Sequence, residues 1–119
     1  FLYLSQIRNI EVSRICLHKD DESNLHEMYM FHTRPHSVGP LKQNKETISY
    51  HIVDGLLEIS TNGQDKKIIL GSELFENETL SKSYRLRPNE FRIVESKSDY
   101  CIFLEVNNGP FKDSDTIWK

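Results

Sequence analysis

Short runs of β-branched and aromatic residues, separated by turn formers, recur along this chain, and an apolar period of 3.6 residues is almost nowhere sustained. That pattern belongs to strands rather than helices, because successive side chains of a strand alternate between two faces. The runs fall at 13–18, 26–33, 47–54, 56–61, 65–70, 83–87, 90–95 and 99–105. In 47–54, Ile48, Tyr50 and Ile52 share one face and Ser49, His51 and Val53 the other. Asn62-Gly63 sits between two runs and is the dipeptide of a two-residue hairpin turn, whose central residues both need positive φ. Several runs are apolar on both faces. A single open sheet would keep one wet face, so the expectation is a closed or double-layered antiparallel structure, a jelly-roll β-sandwich of the all-β class. The 119 residues read as one domain. Residues 1–12 form an N-terminal strand or arm and 71–82 a loop with one turn of helix. Residues 106–119 form an irregular tail pinned by Phe111 and Trp118.

Composition removes several classes of function. With 15 basic against 18 acidic residues the net charge is −3, and the aromatics are scattered rather than interleaved with a basic stripe. Nucleic acid is therefore not an expected partner. No stretch approaches the roughly 18 apolar residues of a membrane span. Two cysteines do not make a disulfide framework, and Cys16 and Cys101, each in an apolar run, read as small buried hydrophobes. The start of the chain shows no basic region or small-residue cleavage site of a secretory leader, and the expected location is the cytoplasm. The glycosylation pattern Asn77-Glu78-Thr79 carries no weight there. A Gly-rich phosphate loop, Cys-x-x-Cys, His-Glu-x-x-His and a Gly-x-Ser-x-Gly elbow are all missing from the sequence.

Certain residues are more specific. Arg14-Ile15-Cys16-Leu17-His18, His26-Glu27-Met28, Ser49 to Gly55, and Glu105 with Asn108-Gly109-Pro110-Phe111 follow one another in the order and spacing of the WbuC-type cupins. The chain resembles that family from Arg14 to Trp118. The resemblance implies a cupin jelly roll, and a link to O-antigen and surface-polysaccharide biosynthesis. It also implies a divalent metal held by a His-x-His pair, a glutamate shortly after it, and a histidine on a later strand. In the gap-free register the metal positions are occupied here by Leu41, Gln43, Ile48 and Arg92. A guanidinium has no lone pair to give a metal. The expectation is thus a degenerate cupin with neither metal nor cofactor. The alternative is a different metal site built from His36, Glu46 and His51. It conflicts with the strand period, which turns His51 away from the face that carries Ile48 and Tyr50.

What is left is a cavity lined by Leu41, Gln43, Ile48, Tyr50 and Arg92, with Ile52 and Val94 beside them, an apolar wall with a few polar groups. A buried guanidinium needs a partner. Arg92 either replaces the metal as the positive centre for an anionic ligand, or pairs with Glu90, Glu95 or Glu105, or reaches out of the barrel mouth. The leading expectation is a small-molecule-binding or accessory protein that takes a sugar-like or anionic metabolite. One alternative is an isomerase or epimerase acting on a nucleotide sugar, for which His26 and Tyr50 are the candidate acid–base residues. The resemblance implies their chemistry, because some metal-free cupins of that kind use His and Tyr. A further alternative is a structural homodimer, built by pairing sheet edges through the apolar N-terminal FLYLSQI.

Overall fold

Among the residues that the computed structural model describes (12–33, 35–44, 48–61, 66–72, 81–87, 90–110 and 112–119), the alternation of the sequence is realised as ten strands. They are β1 (Val12–Cys16), β2 (Leu25–His32), β3 (Ser37–Gln43), β4 (Ile48–Asp54), β5 (Leu56–Thr61), β6 (Lys66–Gly71), β7 (Ser83–Leu86), β8 (Arg92–Ser96), β9 (Cys101–Asn108) and β10 (Thr116–Trp118). A 3-10 turn at Asp113–Asp115 precedes the last of them, and no α-helix occurs among the described residues. No helix is long and apolar enough to cross a membrane. Residues 1–11 of the N-terminal arm, residues 73–80 of the expected 71–82 loop with Asn77 among them, the Asn62-Gly63 turn, Phe111 and Glu46 lie outside the described residues.

The strands form two five-stranded antiparallel sheets, ordered β1-β2-β9-β4-β7 and β10-β3-β8-β5-β6. From β2 onward the chain passes back and forth between the sheets, interrupted only by the β5–β6 hairpin, which is the connectivity of a jelly roll. The expected all-β sandwich is therefore the observed fold. Its core lies between the sheets and includes Ile48, Tyr50, Leu57, Ile59, Leu70, Leu86, Val94, Cys101 and Phe103. The period-two reading of β4 holds in detail: Ile48 and Tyr50 are buried, Ile52 packs on the core and Val53 is exposed. Strand β5 lies between β8 and β6 and is buried on both faces. Its one charge there, Glu58, is met by Lys97 Nζ at 3.2 Å.

Two strands were not legible as such. β3 reads Ser-Val-Gly-Pro-Leu-Lys-Gln, and Gly39-Pro40 interrupts any alternation. The structure absorbs that dipeptide in a register shift between Val38 and Leu41 against β8. Gly39 takes φ +117°, and a Cβ there would stand 2.5 Å from the Arg92 carbonyl oxygen. Only glycine fits this approach of β3 to β8. The tail is not irregular: β9 continues to Asn108, and Thr116–Trp118 pairs with β3. Three residues are too few to show a period. Trp118 is 64 % exposed on that edge strand and does not anchor the tail. Cys101 is buried as expected, but Cys16 is exposed, because it ends the edge strand β1.

Burial fixes the energetics of the core. Ile59→Ala lowers the unfolding free energy by about 2–5 kcal/mol in urea titrations. Ile69→Ala on neighbouring β6, where the side chain is 39 % exposed, changes it by about 0.5 kcal/mol or less. Equal losses at the two positions would contradict the placement of the core.

Candidate functional site

The inner face of the first sheet is built by alternation on three neighbouring strands. β2 contributes His26, Met28, Met30 and His32, and β9 contributes Cys101, Phe103, Glu105 and Asn107. The register sets Met28 and Tyr50 on either side of Glu105, and His26 and Ile48 on either side of Asn107. From the second sheet, Arg92 enters the interior between Leu41 and Thr61.

Arg92 is 3 % exposed, and its charge is held by neutral groups. Its Nε–H donates to the Tyr50 hydroxyl at 2.8 Å and its Nη2–H to Gln43 Oε1 at 3.0 Å. Tyr50, 1 % exposed, stands directly opposite Glu105 in the β4–β9 register, where the carboxylate favours the protonated phenol. A phenol is suited to this place because it can accept one hydrogen bond and donate another. The counter-charge of Arg92 is thus Glu105, one phenol away. Burial pushes the Tyr50 pKa up, Glu105 adds to that and Arg92 opposes it, so the phenol keeps its proton. Asn107 Nδ2 lies 3.5 Å from Glu105 Oε2, and Gln43 Nε2 donates to Thr116 Oγ1 at 3.4 Å.

In front of this relay lies a cleft of about 210 Å³. Gln43, Glu105 and Asn107 are polar groups of its lining, Met28 and Met30 are apolar ones, and Arg14, Cys16, His18, Asp21 and His26 complete it. The His18 and His26 rings stack with centroids 4.0 Å apart. His26 Nε2 is 3.2 Å from the Asp21 carbonyl oxygen, to which it donates, and His18 Nδ1 is 3.3 Å from the Glu27 amide.

Of the residues singled out from the sequence, Gln43, Tyr50 and Arg92 come together in one hydrogen-bonded group. Leu41 is buried beside Arg92 on β3, and Ile48 belongs to the apolar core. His26 lines the cleft, whereas Tyr50 lies behind Glu105 and does not line it. His36 sits edge-on to His32 at 5.4 Å, with its amide and carbonyl bound to the Ser96 hydroxyl. His51 lies on the other face of β4, between the hydroxyls of Ser49 and Ser83. No group of three His, Cys, Asp or Glu able to hold a metal occurs among the described residues. Leu41, Gln43, Ile48 and Arg92 offer one donor oxygen between them, Gln43 Oε1, and it already accepts from Arg92. This donor set does not suit a divalent ion.

Sequence reading alone did not assemble Arg14, Asp21, Met28, Met30 and Asn107 into a site. The period-two faces of β2 and β9 carried part of the signal, but the edge strand and the loop after it did not. His32 was missed altogether. It is 1 % exposed, with Nδ1 3.1 Å from Ser96 Oγ.

No protein-family model and no curated protein sequence matches the chain. Solved structures do, and they share the cupin jelly roll. A cupin superfamily protein of Desulfitobacterium hafniense superposes with a TM-score of 0.64 at 15 % identity, over 82 % of this chain and 76 % of that one. An RmlC-like cupin of Shewanella frigidimarina gives 0.62 at 12 % identity, over 87 % and 80 %. The salicylate 1,2-dioxygenase of Pseudoaminobacter salicylatoxidans, bound to gentisate, gives 0.73 at 8 % identity over 99 % of this chain, which spans 33 % of that enzyme. These likenesses establish the cupin fold of the chain.

His32 gives the fold a pH dependence with a definite sign. Burial, and secondarily the charge of His36, lower its pKa to about 4 from 6.5. The unfolded chain therefore binds a proton that the folded chain refuses between those values. Stability from this group is complete above pH 6.5 and is lost as pH falls toward 4. The loss amounts to roughly 2–3 kcal/mol. Urea midpoints measured from pH 7 to pH 4 fall in the wild type, and most of the fall between 6.5 and 4 disappears in His32→Asn. An unchanged slope in that variant would contradict the assignment.

Proposed function

We propose that this protein is a metal-free cupin that binds a small, sugar-like metabolite in the cleft in front of Glu105. The carrying observation is the Glu105 carboxylate itself, which lines the cleft beside Asn107 and has Tyr50, the hydrogen-bond partner of Arg92, as its cross-strand neighbour. A carboxylate held in this way is an acceptor of set orientation for ligand hydroxyls, and its negative charge needs no ligand cation. The Asn107 and Gln43 amides stand beside it, and Met28 and Met30 offer the apolar surface on which the C–H face of a sugar ring rests. A few polar groups that fix orientation against an apolar wall are the usual composition of a small-molecule site. The resemblance to WbuC-type cupins points to surface-polysaccharide metabolism as the source of such a ligand.

The stacked His18 and His26 favour a second reading, acid–base isomerisation of a bound sugar. In that reading His26 with Glu105, rather than Tyr50, are the groups placed to move a proton, because both line the cleft and Tyr50 does not.

Binding is tested by titrating the protein with neutral monosaccharides and following amide and methionine methyl resonances. Saturable shifts confined to Met28, Met30, Glu105 and Asn107 are expected. Glu105→Gln weakens binding about tenfold or more, which is about 1.4 kcal/mol, and Asn107→Ala weakens it by a smaller factor. An absence of shifts with every sugar, or shifts that persist unchanged in both variants, would overturn the proposal.

A further inference from the structure

We infer that the ligand of this cleft is a monosaccharide acid, with its carboxylate taken by Arg14 at the rim and its hydroxyls by Glu105; this rests on the sugar-binding reading above. Arg14 sits on the edge strand β1, opposite Met30, and lines the cleft. Among the described residues no carboxylate forms an ion pair with it. The rest of its wall carries no second cation of fixed charge: His18 and His26 stack on one another, and the lining also holds the acids Asp21 and Glu105. Glu105 lies on the far side of the cleft, two strands from β1, with β2 between.

The cleft is therefore polar in a directed way. A fixed positive charge stands at one end and a hydrogen-bond acceptor, already neutralised by Arg92 through Tyr50, at the other. A neutral sugar satisfies only the second. Two inter-strand spacings separate the strands of Arg14 and Glu105, about 10 Å. Arg14 is also offset from Glu105 by two residues along the sheet, since it faces Met30 and Glu105 faces Met28; that offset is within the reach of an arginine side chain, and a pyranose ring with a hydrogen bond at each end suits the gap. The planar guanidinium matches a carboxylate bidentately. A phosphate dianion fits the cleft less well, because a single arginine would have to hold its charge in a lining that also carries the acids Asp21 and Glu105. The assignment differs from the one drawn from sequence, in which Arg92 receives the anion. Arg92 has its two hydrogen bonds inside the core and does not line the cleft.

The experiment titrates the full chain with matched pairs: glucuronate and glucose, galacturonate and galactose, mannuronate and mannose. In the wild type the acid of at least one pair binds about tenfold tighter than its neutral partner. Arg14→Gln brings that acid down to the affinity of the neutral sugar, with a smaller effect on the neutral sugar itself, and Arg14→Lys restores part of the preference. Asp21→Asn, which removes the opposing charge, tightens the acid a few-fold. Equal binding within every pair, or an equal loss for acid and neutral sugar in Arg14→Gln, overturns the inference while leaving the sugar site standing. If no sugar of either kind binds, the site reading falls and the inference with it.

Discussion

A guanidinium with almost no exposure sits in the interior of this protein, and the structure around it is arranged to keep its charge tolerable. Removing an arginine from water is expensive, and a direct partner of opposite charge is the usual answer. Here the partners at hydrogen-bond distance are a phenol and a carboxamide, with the carboxylate of Glu105 on the far side of the phenol. The two sheets each supply one pole: Arg92 comes from β8 and Glu105 from β9. Packing the sheets and pairing the charges are thus the same event, and neither sheet can satisfy its polar interior alone.

The same arrangement explains why the cleft is where it is. Glu105 and Asn107 alternate with outward residues on β9, and Met28 and Met30 do so on β2, so one wall of the cleft follows from strand period alone. Below the cleft, Tyr50 leans edge-on against Phe103 with ring centroids 5.8 Å apart, which joins the polar relay to the apolar core. Fold neighbours of 8–15 % identity share the jelly roll with this chain. A sandwich of this kind is set by alternation and turn placement, which many sequences satisfy, while its interior chemistry is free to change.

Most of the architecture was legible because β4, β5 and β9 alternate cleanly, or are apolar on both faces, between recognisable turns. β3 was not, since Gly39 and Pro40 break local pattern for a tertiary reason, the close approach to the Arg92 carbonyl. Three residues of β10 carry no period at all. At the site, family-like spacing sufficed to bring Gln43, Tyr50 and Arg92 together, because all three lie on strands whose register is fixed by the core. Arg14, Cys16 and Asp21 were out of reach. They belong to an edge strand and a loop, where exposure depends on what the neighbouring segments leave uncovered. The sequence offered Glu90, Glu95 and Glu105 as partners for Arg92, whereas its hydrogen bonds go to Tyr50 and Gln43, since sequence separation says nothing about which of two groups stands in front.

The charge relay through Tyr50 is tested most directly by a double-mutant cycle. Arg92→Met and Glu105→Gln are made singly and together, and unfolding free energies are measured in urea at pH 7. Each single variant leaves the opposite charge without its counterpart, whereas the double variant removes both. The double variant is therefore expected to be less destabilised than the sum of the singles, by about 1–3 kcal/mol. Additivity within about 0.5 kcal/mol would mean that the two charges do not feel one another, and an interior organised around their pairing would be ruled out.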